Sequence, residues 1–205
     1  MKNQHKLTLV IQAGGESRRM GEDKALKNFL GEPLVQRLVR RLKPLGQEII
    51  IIARDPSEYA FLGLPVYTDV QPGVGALGGL LTAMSVAETP FVAVIACDMP
   101  FVNPELLLYQ WSLIQERGID VVIPFHDEEL QPFHAIYRVK TCLPTIQSTI
   151  EKGQKKVLSW LDQMVTYRIS TAEMRTFESY AMTFLNLNTP HDFELAEKIA
   201  RNYYD

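Results

Sequence analysis

The sequence predicts an α/β protein, a three-layer sandwich with a mostly parallel central sheet. Strand-like and helix-like segments alternate along its 205 residues, the pattern of parallel strands joined by helical crossovers. The strand segments LTLVIQ, EIIIIA and FVAVIA are near-continuous apolar runs, as strands buried on both faces are. The segments between them carry apolar residues at helical spacing instead.

Leu7 to Gln12 is the first strand. Pro33 stands at the start of a helix whose apolar face is Leu34, Leu38, Val39, Leu42 and Leu45, with Gly46 ending it. Glu48 to Ala53 is the second strand, and Pro65 to Thr68 a short third. Leu77 to Ala87 predicts a helix with small residues on one side. Phe91 to Ala96 is the next strand, followed by a helix from Pro104 to about Glu116 and a strand at Asp120 to Pro124. The rhythm then changes. Phe133 to Arg138 alternates like a half-exposed antiparallel strand. Helices are predicted at Val139 to Lys152 and Lys155 to Leu161, strands at Val165 to Ser170 and Ala181 to Leu185. A last helix begins near Pro190, with Thr189 as its N-cap. No repeat or linker interrupts the chain, which predicts one domain over 1–205 in two halves, one to about 125 and one from about 126, where the rhythm changes.

Composition bounds the function. Hydrophobic residues make up 46% and charged residues 22%, with a net charge of −3, ordinary for a globular chain and no basis for a nucleic-acid or anionic-membrane partner. No apolar run reaches the roughly 18 residues of a membrane span. Met1 to Lys6 is polar, without the apolar core of a signal peptide. Cys97 and Cys142 form no Cys-x-x-Cys pair, and the four histidines have no metal-ligand spacing. A reducing cytoplasm is the expectation.

The first candidate site follows the first strand. Ala13, Gly14 and Gly15 let the chain leave Gln12 with little bulk, and Ser17, Arg18, Arg19, Gly21, Asp23 and Lys24 come next. Small residues allow backbone N–H groups close to an anion, and Arg and Lys supply the charge. The combination reads as a polyphosphate cradle at the carboxyl end of a strand. It is not a P-loop: Gly15 and Gly21 are one residue too far apart, and Glu22 stands where the lysine belongs. The second site is Asp98, ending the FVAVIA strand in Cys97-Asp98-Met99-Pro100. It can cap a turn, but beside a phosphate cradle it is a candidate Mg²⁺ ligand. Cys97 reads as a small buried apolar residue.

Asp69 to Gly79 contains Gly73-Val-Gly75-Ala-Leu-Gly78, a match to Gly-x-Gly-x-x-Gly, with Asp98 about 20 residues beyond. This supports an alternative, an NAD-dependent oxidoreductase. The fingerprint should follow directly on an apolar strand, whereas here it follows Asp69, Gln71 and Pro72, and it leaves the first loop unexplained. Finally, Asn186 and Asn188 alternate in Asn186-Leu187-Asn188-Thr189-Pro190, so both amides face one side of an extended chain.

Leu7 to Lys24 resembles the opening signature of nucleotidyltransferases related to the sugar-nucleotide pyrophosphorylases, Leu-Ala-Gly-Gly-x-x-x-Arg-Met-Gly-x-Asp-Lys. Within that group the chain is most similar to the molybdenum cofactor guanylyltransferases. It matches at Ala13, Gly14, Gly15, Arg19, Met20, Gly21, Asp23 and Lys24, and departs at Gln12, where the family has leucine. Cys-Asp-Met-Pro, the Asp69 to Gly79 segment (with Ala76 in place of proline), Gln131 to Ala135 and Asn186 to Pro190 resemble further family segments. The resemblance implies a Rossmann-like nucleotide-diphospho-sugar transferase fold and transfer of GMP from GTP to molybdenum-molybdopterin, with release of pyrophosphate. It implies catalytic roles for Arg19, Lys24 and Asp98, with Mg²⁺ on Asp98. Nucleotide binding falls to Gln12, Ala13, Gly14, Gly15, Lys24, Asp69, Gly78 and Asp98, and acceptor binding to Asn186 and Asn188. Transient contact with molybdoenzymes or other cofactor-pathway proteins is a further implication. Transfer of CMP, or of a nucleotide to another phosphorylated acceptor, is the alternative within the class.

Overall fold

A computed structural model describes residues 6–14, 23–45, 48–116 and 118–203. Its elements in chain order are β1 (Leu7–Gln12), β2 (Asn28–Phe29), β3 (Glu32–Pro33), α1 (Leu34–Leu42), β4 (Glu48–Ile52), β5 (Val66–Tyr67), α2 (Ala76–Val86), β6 (Phe91–Ala96), α3 (Pro104–Ile114), β7 (Val121–His126), β8 (Glu129–Leu130), β9 (His134–Arg138), α4 (Val139–Glu151), β10 (Thr166–Ile169), α5 (Thr171–Met174) and α6 (Pro190–Tyr203). The main sheet has the order β10-β7-β9-β6-β1-β4-β5. β1 lies parallel to both β4 and β6, and β10 is parallel to β7. β9 runs antiparallel between β6 and β7.

The apolar runs are apolar because both faces of the sheet are covered. Leu7, Leu9 and Ile11 of β1 join Leu34 and Leu38 of α1, Leu106 of α3 and Ala196 of α6 in one buried cluster. Val10 joins Leu77 and Leu80 of α2 and Ile146 of α4 in the other. Three layers result, as the sequence predicts. Local chemistry fixes the helix starts. Asn103 caps α3, accepting from the N–H groups of Glu105 and Leu106, with Pro104 at the first helical position. At α6, Asp192 N–H donates to Thr189 Oγ1 (3.2 Å), while Asp192 Oδ2 accepts from Thr189 N–H (2.7 Å) and Asn188 N–H (2.8 Å). That reciprocal cap fixes how the chain from Asn186 enters the helix.

Two expected elements are different. Lys155 to Leu161 forms turns, followed by a 3₁₀ turn at Leu161–Gln163. There Ser159 and Trp160 donate to the carbonyls of Lys156 and Val157, and Trp160 is fully buried. Ala181 to Leu185 lies in a 3₁₀ helix, Tyr180–Phe184, rather than a strand. Adjacent Thr183 and Phe184 are both buried, which strand alternation does not provide. Asn186 to Thr189 is irregular chain with a bend at Thr189, attached to the β6 end by a bond from Leu187 N–H to Asp98 O (2.9 Å). The Gly46 helix stop lies outside the described residues.

His134 of β9 is fully buried, with neither ring nitrogen hydrogen-bonded among the described residues. Burial depresses its pKa from 6.5 to about 4. The unfolded chain thus binds the extra proton first on acidification. The stability that neutral His134 contributes is complete above pH 6.5 and is lost progressively as pH falls toward 4, by about 3 kcal/mol. Denaturant unfolding at pH 7 and pH 4 should show a His134→Gln variant losing less stability than the wild type by about that amount. Equal losses in the two proteins would contradict this.

Candidate active site

The carboxyl ends of β1, β4 and β6 share one edge of the sheet, the edge at which α/β proteins bind ligands. A cleft of about 810 Å³ opens on that edge beside the ends of β6 and β7, lined in part by Asp98, Phe125, Glu129, Arg168, Asn186 and Asn188. Its volume is in the range of small-molecule sites.

Asp98 follows β6 directly. Burial pushes its carboxyl above the usual carboxylate range, and Lys24 opposes that shift. No side chain or backbone N–H of another residue bonds the Asp98 carboxylate among the described residues, so a charge there is poorly solvated. Lys24 reaches the same place from the other side. Asp23 Oδ1 accepts from Ala25 N–H (3.0 Å) and caps the 3₁₀ turn Lys24–Leu26. From this turn Lys24 Nζ donates to Asn188 Oδ1 at 3.0 Å. Asn186 and Asn188 flank fully buried Leu187, and both amides are exposed. The structure thus joins Lys24, Asp98, Asn186 and Asn188.

Other expected groups are placed differently. Ala13 and Gly14 stand at the β1 end, but their N–H groups both bond Ile52 O, at 2.8 and 3.1 Å. The Gln12 carbonyl accepts from Cys97 N–H (3.0 Å). These main-chain groups are committed to the sheet, so the Ala13 and Gly14 N–H groups are not free for the expected cradle, whose residues 15–22 lie outside the described residues. The Gln12 side chain instead lies on α2, where a Cβ on Gly79 would stand 2.6 Å from Nε2. That Nε2 is buried and has no hydrogen-bond partner among the described residues. Gly78 is a close-packing position, where a Cβ would meet Gln71 O and Val74 at 3.2 Å. Asp69 accepts from Thr82 Oγ1 (3.3 Å) and lies outside the cleft lining. Gly15 and Arg19 fall outside the described residues. Among the described residues no group of three or more His, Cys, Asp or Glu is arranged to hold a metal. Mg²⁺ asks for less, one or two carboxylates completed by phosphate and water, and Asp98 fits that demand.

Of the opposite wall, sequence reasoning named Gln131, Pro132 and Phe133, which line the cleft, and passed over the rest. β7 and β8 form a hairpin whose turn residues, Asp127 and Glu128, both have positive φ (48° and 63°), as type I′ turns require. It presents half-exposed Phe125 to the cleft, with Arg168 of β10 nearby on the same lining. Lys155 Nζ donates to Gly73 O (3.3 Å), linking the second half to the glycine-rich loop. Nothing local marks such contacts, which span 82 residues in the Lys155 case.

A cleft at the carboxyl edge of the sheet, with Asp98 and the paired asparagines in its lining and Lys24 bonded to one of them, fits a nucleotidyltransferase, and comparison with known proteins agrees. The chain belongs to the family described as the MobA-like NTP transferase domain, whose model matches residues 9–166. It is similar to a Pelotomaculum thermopropionicum protein named "Probable molybdenum cofactor guanylyltransferase", 36% identical over 195 residues, covering 95% of this chain and 94% of the relative. A Shewanella woodyi molybdenum cofactor guanylyltransferase is 32% identical, covering 96% of this chain and 98% of its own. The crystal structure of molybdopterin-guanine dinucleotide biosynthesis protein A from Archaeoglobus fulgidus superposes with a TM-score of 0.82 at 27% identity, covering 95% of this chain and 99% of that one. No described helix is long and apolar enough to cross a membrane.

Proposed function

We propose that this chain transfers GMP from GTP to the terminal phosphate of molybdenum-molybdopterin, forming the guanine dinucleotide cofactor and pyrophosphate. The observation that carries the reading is the Lys24 Nζ–Asn188 Oδ1 contact (3.0 Å) at a cleft lined by Asp98. It joins the end of the phosphate-loop motif to the acceptor-side amides.

The acceptor's phosphate monoester attacks the α-phosphorus of GTP, the bond to the β-phosphate breaks, and pyrophosphate leaves. A phosphate dianion is a competent nucleophile near pH 7, so positioning and charge stabilisation carry the rate. Lys24 holds the β- and γ-phosphates, with Arg19 as its expected partner. Asp98 holds Mg²⁺, which when bound neutralises phosphate oxygens. Asn186 and Asn188 orient the acceptor. Phe125 offers a flat apolar face for its pterin ring, and Arg168 a cation for its anionic end.

Incubation with the acceptor, Mg²⁺ and GTP, CTP or ATP, followed by detection of dinucleotide and pyrophosphate, tests the reading. GTP should give the highest kcat/KM. A preference for CTP would make the chain a cytidylyltransferase, and turnover of NAD with none of the nucleotides would remove the class. The acceptor assignment has its own expected result. Changing both Asn186 and Asn188 to alanine should lower dinucleotide formation about a hundredfold, as loss of two oriented polar contacts can. GTP affinity should stay within about threefold, roughly 0.7 kcal/mol. Normal turnover with only a lower melting temperature would identify the asparagines as turn chemistry.

A further inference from the structure

Tyr59 belongs to none of the motifs, yet its hydroxyl bonds Asp23, the residue before Lys24. The residue sits in the 3₁₀ helix Pro56–Leu62 that follows β4, and it is fully buried. Its hydroxyl donates to Asp23 Oδ2 at 2.7 Å. The other carboxylate oxygen, Oδ1, caps the Lys24–Leu26 turn through Ala25 N–H at 3.0 Å. Asp23 is therefore held on one side by a ring embedded in the core and on the other holds the turn from which Lys24 projects. Burial foremost, then the Asp23 hydrogen bond and charge, push the phenol well up from its ordinary range, so it remains a donor at neutral pH.

We propose that Tyr59 is a positioning residue for nucleotide binding: through Asp23 it fixes the Lys24 turn, so that the ammonium stands preformed at the phosphate end of the cleft. A lysine ammonium ends a flexible four-carbon stem, and its average position is set largely by the backbone turn that carries it. A turn anchored before GTP arrives has less freedom to lose on binding. The hydroxyl touches no substrate in this account. The inference rests on the reading of Lys24 as a triphosphate ligand.

The test uses Tyr59→Phe, which keeps the ring and removes only the donor. Affinities for GTP and for guanosine are measured calorimetrically, in buffer containing Mg²⁺, on the wild type, Tyr59→Phe, Lys24→Ala and the double variant. Tyr59→Phe should weaken GTP about tenfold, as loss of a hydrogen bond to a charged group can, and leave guanosine within about twofold. In the Lys24→Ala background the same substitution should change GTP affinity by less than about twofold, because the two act as one unit. A tenfold loss that persists without Lys24, or that extends equally to guanosine, would show a merely structural tyrosine and overturn the inference. So would unchanged GTP affinity in Tyr59→Phe. If Lys24→Ala itself leaves GTP affinity unchanged, the reading of Lys24 fails and the inference with it, a result distinct from failure at Tyr59 alone. Asp23→Ala, which cuts the same link from the turn side, must show the same coupling. It supplies the measurement should Tyr59→Phe melt below the assay temperature.

Discussion

Replacing Asp98 with alanine should reduce Mg²⁺-dependent turnover about a thousandfold, a loss of roughly 4 kcal/mol of transition-state stabilisation, while the fold persists. The two halves of this expectation have separate causes. The catalytic loss is expected because a metal held at the β6 end, as proposed, would be the largest charge available to the triphosphate, and no cluster of three or more acidic, His or Cys residues among the described residues could replace it. The fold persists because the structural bond at this position comes from the backbone: Leu187 N–H donates to Asp98 O, not to the carboxylate (2.9 Å). Alanine keeps that carbonyl. The carboxylate is desolvated, with its pKa raised by burial despite Lys24, so removing it leaves the melting temperature unchanged or higher. Residues that hold charge for function commonly have this cost in stability. Steady-state kinetics across a Mg²⁺ titration, paired with thermal unfolding, provide the check. Turnover within tenfold of wild type would remove Asp98 from the metal site, and collapse of the fold would mean the residue is structural.

Much of this fold was legible because burial on both faces of a parallel sheet writes itself into consecutive residues. Leu7–Gln12, Phe91–Ala96 and the isoleucine run of β4 are buried at nearly every position, so no solvent-facing alternation confuses the reading. β9 is antiparallel as its alternation predicts, but the half-exposed face expected of it is absent: it lies between β6 and β7, and His134 to Tyr137 are all buried. Legibility failed at Lys155 to Leu161 and Ala181 to Leu185, short apolar segments in which turns and tertiary burial override periodicity. The site divides similarly. Asp98 and the paired asparagines could be read because each sits at a fixed place relative to an element. The sequence could not show that Ile52 O would take the N–H groups of both Ala13 and Gly14, since that competitor comes from a different strand. Nor could it show Tyr59 bonding Asp23, 36 residues away, or Lys24 reaching Asn188 across 164. Such contacts are products of topology, and no local pattern encodes them.

Lys24→Ala should weaken GTP between about tenfold and a hundredfold, or ~1.4–2.8 kcal/mol, with guanosine affected by less than about twofold. The asymmetry follows from position. Lys24 stands at the end of the phosphate-loop motif, its ammonium on the Asn188 amide oxygen and its charge felt by Asp98. In the free protein that ammonium has a neutral acceptor, an exposed bond of small net worth. An incoming triphosphate offers charged oxygens, and the exchange favours the nucleotide. Stability should barely change, because the bond being lost is exposed. Turnover should fall further than affinity, since negative charge builds on the β-phosphate as pyrophosphate leaves and only the transition state feels that increment in full. Lys24→Arg should restore only part of the loss: the guanidinium keeps the charge but is a broad planar fork, whereas the lysine head is compact. Ionic strength gives an independent reading. GTP affinity of the wild type should decline more steeply between 50 and 500 mM salt than that of Lys24→Ala, because one fewer cation is there to be screened. Parallel salt dependences, together with GTP affinity within twofold of wild type, would return Lys24 to the solvated surface and leave phosphate recognition to other residues.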